Sequence, residues 1–213
     1  MRLALLGAVR DDAAGRAWRA AVESAGALLV GLASSTEVSG QAEGGPGLGW
    51  DAVLVAGPVS DGDDVAVGAF ARAGGPVLAI GAGVEVLCAL GLLPGQLADA
   101  AAGPAAGPAS HVRVEGRPTP FTSAIPAGRV LRLPPAPGPR QRWQLPDAAL
   151  LQARGQVIFR ACDAAGGTRA PEAIAGLSNE QGNVVGLLAA EEIVAGEGVQ
   201  LLRSLRLHLR AAR

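Results

Sequence analysis

Residues 77–95, "VLAIGAGVEVLCALGLLPG", decide the fold. Their first four residues are apolar and predict a buried strand over 77–80. The turn Gly81-Ala82-Gly83 follows, and the next residues predict a helix that ends at Gly91. A strand that passes through a glycine turn directly into a helix has the geometry of a nucleophile elbow, which presents a reactive Ser or Cys at its tip. Here the tip is Gly81, which has no side chain.

The residues before this elbow alternate apolar runs with stretches of helical pattern. The apolar runs have the character of strands buried on both faces and lie at 2–9, 27–33, 50–57 and 76–80. Alternation at this spacing predicts right-handed crossovers, and therefore an α/β fold with a mostly parallel sheet and helices on both faces. Ligands of such sheets bind beyond the carboxyl ends of the strands, so the loops after Val9, Gly57 and Ile80 form the expected site.

The second half of the chain carries shorter apolar segments that are separated by turns. Five of them predict strands, at 111–116, 128–133, 155–161, 173–178 and 182–188. Residues 133–143 include four prolines and are expected to be irregular, because proline lacks an amide donor and fixes φ. The Ala/Gly/Pro-rich residues 100–110 predict a loop, and residues 196–213 predict an amphipathic closing helix.

The composition excludes several classes of function. The net charge is −1 and the 18 cations, all Arg, form no basic block, which argues against a nucleic-acid surface. No apolar run reaches the length of a membrane helix, and the apolar start of the chain has no small-residue cleavage site. We therefore expect one cytoplasmic domain over residues 1–213. His111 and His208 form no pair at ligand spacing, so neither a metal nor another cofactor is expected.

The two cysteines, Cys88 and Cys162, are the first alternatives to a nucleophile at the elbow. Cys88 lies among apolar residues about two turns into the elbow helix, and Cys162 follows an apolar strand. Isolated cysteines of this kind behave as small hydrophobic residues, so both are expected to be buried thiols without a catalytic role. His208 is expected on the exposed face of the closing helix.

Five segments of the chain resemble one family, in order and spacing. They are residues 53–64, 76–97, 119–123 ("TPFTS"), 155–160 and 174–188 ("IAGLSNEQGNVVGLL"). Through them the chain resembles the glutaminase subunit of phosphoribosylformylglycinamidine synthase, a class I glutamine amidotransferase of purine biosynthesis. The resemblance implies a flavodoxin-like α/β domain whose Cys, His and Glu hydrolyse glutamine through a thioester. It also implies two backbone amides that stabilise the oxyanion.

The chain departs from this family at the positions that carry the chemistry. The family's elbow reads Gly-x-Cys-x-Gly, which places Gly81 at the nucleophile position, and Glu85 replaces the usual Gln that follows. The family's Pro-His-Pro-Glu is matched by residues 189–192, so Ala190 stands at the base position and only Glu192 remains as the orienting carboxylate. The oxyanion loop keeps Gly57. A further His and Glu of the family are absent from residues 136–140.

These departures predict a protein without glutaminase activity that retains the pocket and oxyanion-loop residues Gly57, Ala82, Gly83 and Glu85. We expect it to act by binding the synthetase subunit of the same enzyme, together with the small third subunit found in such systems. Two alternatives stay open. One is a small-molecule sensor that uses the emptied pocket. The other is an enzyme with a new carboxylate site built from Glu85, Glu192 and the acidic residues of 61–64.

Overall fold

A computed structural model describes residues 1–7, 13–26, 28–32, 50–59, 62–99, 111–134, 140–167, 173–190, 193 and 196–212. The loop expected at 100–110 lies outside these residues. So do Val9, Glu192 and residues 135–139.

The described chain forms eleven strands and five helices. The strands are β1 (Arg2–Leu6), β2 (Leu28–Leu32), β3 (Ala52–Val55), β4 (Val77–Ile80), β5 (Gln96–Asp99), β6 (His111–Val114), β7 (Val130–Arg132), β8 (Arg140–Gln144), β9 (Val157–Cys162), β10 (Ile174–Ser178) and β11 (Val184–Leu187). The helices are α1 (Ala13–Ser24), α2 (Asp63–Arg72), α3 (Gly83–Ala89), α4 (Ala148–Ala153) and α5 (Val199–Ala211).

Nine strands form one sheet in the order β2-β1-β3-β4-β11-β10-β9-β6-β7. The pairings from β2 through β11 are parallel, and those from β11 through β7 are antiparallel. This confirms the α/β class predicted from the alternation of strands and helices. The five short strands predicted in the second half are also confirmed, as β6, β7, β9, β10 and β11.

Each face of the sheet packs in its own hydrophobic core, because successive side chains of the central strands point to opposite faces. Leu54 and Leu78 belong to a cluster that also contains Trp18 of α1 and Leu202 of α5. Their neighbours in the strands belong to a second cluster with α2, α3 and α4, which includes Val53 and Val77 among its members. Helices therefore cover both faces, as predicted. The leucine stripe of the closing helix is buried at Leu201, Leu202 and Leu205, and the partly buried Leu209 packs against the first cluster.

The expectation of irregular structure over 133–143 is wrong for its last part. Strand β8 begins at Arg140, directly after the last proline, and pairs with β5 in a separate two-stranded antiparallel sheet. Trp143 lies opposite Leu97 in this pair and is buried in the second cluster. Burial of this large side chain stabilises a strand where the proline-rich sequence before it has no regular pattern.

Candidate functional site

The predicted strand–turn–helix elbow is present in the structure, where β4 is followed by the glycine turn and then by α3. Gly81 has a φ of +56°, a left-handed conformation that favours glycine, and its amide donates to the Leu187 carbonyl at 3.1 Å. The Val84 amide then donates to the Gly81 carbonyl at 3.1 Å as α3 begins. The turn therefore has the sharp backbone that a nucleophile elbow requires, with a glycine at its tip.

The second glycine of the turn has a packing role. A Cβ atom built on Gly83 would lie 2.2 Å from the carbonyl oxygen of Val55, at the end of β3. This separation is far inside van der Waals contact, so only glycine lets α3 approach the neighbouring strand this closely.

The carboxyl ends of four parallel strands converge around the elbow. We call this edge of the sheet, formed by the residues that follow β1, β3, β4 and β11, the site edge. A Cβ atom on Gly7, after β1, would lie 2.6 Å from the Gly57 amide nitrogen after β3. A Cβ atom on Gly81, after β4, would lie 3.1 Å from the carbonyl oxygen of Ala189 after β11. A side chain at the elbow tip would thus point toward the segment that contains Ala190. The predicted convergence of loops at this edge is confirmed for the described residues.

Ala190 is held in place by the backbone. Its amide donates to the Pro134 carbonyl at 2.8 Å, and its carbonyl accepts from the Ile193 amide at 3.1 Å. Ala190 is 6 % exposed. A buried methyl group therefore occupies the position at which the resemblance places a histidine, and an alanine side chain cannot transfer a proton. Glu192 lies outside the described residues, so its predicted role stays a prediction.

Two backbone amides at this edge carry no hydrogen bond to the described part of the chain, those of Gly57 and Ala82. Gly57 is buried between the ends of β1 and β3, whereas Ala82 is exposed at the start of α3. Unpartnered amides at a strand–helix turn are the type of donor that stabilises a developing oxyanion. The role of these amides as oxyanion donors stays a prediction from the resemblance, and no thiol or hydroxyl stands at the tip to generate an oxyanion.

Glu85 is half-buried in the first turn of α3. It lies with Cys88 and Ala89 on the side of α3 that faces β5, and these residues line a cleft of about 560 Å³ together with Gly95 and the β5 strand. Its described lining does not include Gly57, Gly81, Ala82 or Ala190. Glu85 therefore lines a cleft beside α3, and its role in the pocket stays a prediction.

Cys88 has the properties of a structural thiol. Burial, together with a smaller contribution from the nearby negative charge of Glu85, raises the pKa of Cys88 to about 11. The thiol is consequently protonated at neutral pH, and a protonated thiol is a poor nucleophile. Cys162 is buried in β9 with 1 % exposure. The structure therefore offers no support for either cysteine as a relocated nucleophile, in agreement with the sequence analysis.

The acidic residues near the oxyanion loop act at the start of α2. Asp64 Oδ1 accepts from the amides of Gly62 at 3.0 Å and Val65 at 2.7 Å, which helps to satisfy amides that the first turn of a helix leaves unpaired. Asp63 is buried at the first position of the helix, while Asp61 lies outside the described residues. The described residues contain no group of three or more His, Cys, Asp or Glu that can hold a metal ion.

The sequence reasoning missed two features of this region. One is the contact of Pro134 with Ala190, which brings the proline-rich segment of the second half to the site edge. The other is the β5–β8 sheet, which forms one wall of the Glu85 cleft. Neither had a local signal, because both depend on pairing between residues that are distant in sequence.

Comparisons with known proteins extend over most of the chain. It is 38 % identical over 149 residues to the phosphoribosylformylglycinamidine synthase subunit PurQ of Nitrobacter winogradskyi, a match that covers 66 % of this chain and 62 % of that protein. It is 36 % identical over 191 residues to subunit PurQ of Chlorobaculum tepidum, which covers 77 % of this chain and 82 % of that protein. No protein-family model matches the chain.

A solved structure shares the fold of almost the whole chain. A chain of the structure of PurLQS from Thermotoga maritima superposes with a TM-score of 0.69 and 24 % identity, and the match covers 98 % of each chain. At this identity the likeness establishes the fold alone. Among the described residues, the longest helices are too short and too polar to cross a lipid bilayer.

Proposed function

This chain belongs to the PurQ family of phosphoribosylformylglycinamidine synthase subunits, and we propose that it is a glutaminase-like subunit that works by binding and not by hydrolysing glutamine. In this proposal it is a cytoplasmic single-domain protein of purine biosynthesis. It docks on the synthetase subunit and on the small third subunit, and it needs no cofactor.

The proposed loss of activity rests on the absence of a nucleophilic side chain at the tip of the elbow. The elbow keeps its positive φ at Gly81 and its tight contact of α3 with β3 at Gly83, yet the tip has no nucleophilic atom. Hydrolysis through a thioester begins with attack by a thiolate, and the nearest alternative on α3, Cys88, is protonated at neutral pH. The methyl group of Ala190 adds a second defect, because it cannot accept the proton of a thiol.

The retained scaffold supports a binding role. All the strands that meet at the site edge are present, and the loops after them are fixed by close backbone contacts such as Gly7 against Gly57. A surface that is built from backbone and glycine contacts persists when catalytic side chains are lost. The relatives are subunits of a synthase by name, so the surface that they use to assemble is the one that we expect this chain to keep.

The test measures ammonia release from glutamine by the purified chain, alone and with the synthetase and small subunits of the host. We expect no release above background from the native chain and formation of a complex in size-exclusion chromatography. Ammonia release by the native chain would contradict the loss of activity, and failure to bind the synthetase subunit would contradict the binding role.

A double variant separates a missing group from a damaged scaffold. Gly81→Cys with Ala190→His returns a thiol and an imidazole to the two positions, and Gly81→Ser with Ala190→His is its matched control. Thiol-dependent ammonia release by the first variant would support descent from a working elbow. The native chain remains the reference in both cases, so this result does not decide whether the native protein is active.

The other two functions expected from the sequence have less support. A sensor that binds in the emptied pocket needs space beside Gly81 and Ala190, yet both residues are buried. A carboxylate-based enzyme needs acidic groups that converge on a substrate. Asp64 is instead engaged with amides at the start of α2, and Glu85 faces β5.

A further inference from the structure

Helix α5 presents arginines on the side that faces away from the sheet. Arg203, Arg206 and Arg210 follow one another at intervals of three and four residues, so they share one face of the helix. We call these three residues the arginine stripe. Arg203 and Arg210 are exposed, and Arg206 is half-buried. The helix contains no Asp or Glu, so the stripe has no residue of opposite charge on its own element.

Leu207 stands beside the arginine stripe. It lies four residues after Arg203 and three before Arg210, and it is 54 % exposed, whereas the leucines of the opposite helix face are buried. Single exposed leucines are common on protein surfaces, so Leu207 alone would not indicate a site. Together with the stripe, it forms an apolar spot bordered by guanidinium groups, and arginine is enriched in protein interfaces.

The neighbouring elements do not neutralise this surface. No carboxylate of a described residue forms a salt bridge with the stripe. Glu197, in the turn before α5, is instead 3.3 Å from Arg129 Nη2 and accepts from the Arg132 amide. Helix α1 covers the same face of the sheet and carries two arginines and one glutamate, the exposed Glu23. The positive charge of the stripe is therefore uncompensated within the described chain.

One guanidinium of the stripe is held in place. Arg206 Nη1 donates to the Ala25 carbonyl at 2.7 Å, directly after α1. This bond orients the guanidinium without neutralising it, and its other N–H groups have no partner among the described residues. A side chain that is already ordered loses less entropy when it binds a carboxylate. Ala25 leads toward the start of β2, so the stripe lies near the edge of the sheet opposite to the site edge.

We propose that the arginine stripe and Leu207 dock an acidic helical segment of a partner protein. The stripe extends about 10 Å along α5, which is about two helical turns. A partner helix with Glu or Asp at positions i, i+3 and i+7 places one carboxylate opposite each guanidinium, and such pairs form strong, charge-assisted hydrogen bonds. An apolar residue at position i+4 of that helix covers Leu207. The inference does not depend on the proposed function, because it rests on α5 and its neighbours alone.

A lipid surface and a nucleic acid fit the same residues less well. An amphipathic helix binds a bilayer by inserting its apolar face, and the apolar face of α5 is buried against the sheet. A phosphate backbone can satisfy the arginines but offers no apolar contact to Leu207. An acidic protein segment is the occupant that uses both parts of the surface.

The first experiment uses the full native chain and three Ala-rich helical peptides of equal length. The probe carries Glu at positions i, i+3 and i+7 and Leu at i+4. The second peptide has Gln in place of Glu, and the third has Ala in place of Leu. Titration calorimetry at physiological ionic strength is expected to show binding of the probe, at least tenfold weaker binding of the Gln peptide and about threefold weaker binding of the Ala peptide. Single-stranded DNA and anionic phospholipid vesicles are expected to bind at least tenfold more weakly than the probe.

Variants of the protein test the surface itself. Arg203→Gln with Arg210→Gln is expected to weaken binding of the probe at least tenfold. Arg142→Gln with Arg154→Gln is the matched control, because it removes two exposed positive charges from another part of the molecule, and it is expected to change binding less than twofold. Leu207→Ala is expected to abolish the difference between the probe and the Ala peptide. Urea unfolding shows that each variant is folded before its binding is compared.

Each contrary outcome overturns the inference. Absence of binding by the probe at about 1 mM leaves no docking site of useful affinity. Equal binding of the Gln peptide removes the role of the stripe. Binding of the DNA or of the vesicles as tight as that of the probe assigns the stripe to another class of anion. An equal effect of the control pair of substitutions shows general electrostatic attraction in place of a local site.

Discussion

Strand β11 has two very different ends. At its start, Asn183 Nδ2 donates to the carbonyls of Ala71 at 2.8 Å and Gly75 at 2.9 Å, where α2 ends. Asn179 Nδ2 donates to Asn183 Oδ1 at 2.8 Å, so the two side-chain amides form a partly buried network. At the other end, Ala189 and Ala190 offer only methyl groups, and their polar contacts are made by the backbone. At its start β11 is therefore held by side-chain hydrogen bonds, whereas at its other end the described residues offer no catalytic side chain.

The segments that resemble the family most clearly lie away from the site edge. The segment "SNEQGN", 178–183, was among the most specific matches, and its asparagines shape the β10–β11 turn and hold α2. Thr119 and Thr122 of "TPFTS" are likewise buried and bonded to each other, with their Oγ1 atoms 2.9 Å apart. These residues have folding roles in this structure. Likeness at such positions is evidence for the fold, whereas activity depends on the opposite edge.

The largest loss of stability is expected for a substitution of Gly83, a residue of the site edge whose role is in packing. Gly83→Ala places a Cβ atom 2.2 Å from the Val55 carbonyl oxygen, so α3 has to move away from β3. We expect a loss of about 3 kcal/mol in the free energy of unfolding, measured by urea denaturation.

Gly196→Ala is the matched control for this substitution. Gly196 does not have a positive φ, and a Cβ atom there would lie 4.0 Å from its nearest neighbours, the carbonyl oxygens of Arg132 and Ile193. Its free energy of unfolding is expected to change by less than about 0.5 kcal/mol. Similar losses at the two glycines would show that the contact with Val55 does not determine the path of the elbow.

The next effect tests the opposite edge. Asn183→Ala removes two hydrogen bonds to the carbonyls of 71 and 75 and leaves the Asn179 amide with one partner fewer. Loss of such buried bonds is expected to lower the free energy of unfolding by about 2–3 kcal/mol. Gln181→Ala in the same turn is the control, since Gln181 is exposed and its side chain accepts a hydrogen bond from Asn179 Nδ2 at 3.3 Å. A loss below about 1 kcal/mol for Asn183→Ala would contradict a stabilising role for residues 178–183.

Local patterns were sufficient to predict the parallel half of the fold. Buried strands with continuous apolar runs, separated by helical stretches, admit few topologies once crossovers are right-handed. The elbow was also predictable, because Gly81 and Gly83 are required by backbone geometry that the strand–turn–helix pattern itself sets. The position of the site followed from the topology, since the carboxyl ends of parallel strands meet at one edge.

Features that depend on distant pairing were not predictable in this way. Strand β8 is polar except for Trp143 and follows a proline-rich segment, and β5 is a four-residue strand without alternation of polar and apolar residues. Their pairing across more than forty residues, and the burial of Trp143 that accompanies it, became visible only in three dimensions. The contact of Pro134 with Ala190 belongs to the same class.

The smallest expected effect decides whether the tip of the elbow is open or closed. Gly81→Ala places a residue with a side chain at a φ of +56° and a Cβ atom 3.1 Å from the Ala189 carbonyl oxygen. The left-handed conformation costs about 1–2 kcal/mol, and Gly91→Ala measures this cost alone, because Gly91 has a φ of +66° and no heavy atom within 4 Å of an added Cβ. We expect the two losses in free energy of unfolding to agree within about 0.5 kcal/mol. Agreement would mean that the tip accepts a side chain, so that catalytic side chains were lost while the backbone around the tip was kept. A loss at Gly81 as large as that at Gly83 would mean instead that the β11 segment has closed over the tip, and the site edge would then be a packed edge like the one at Asn183.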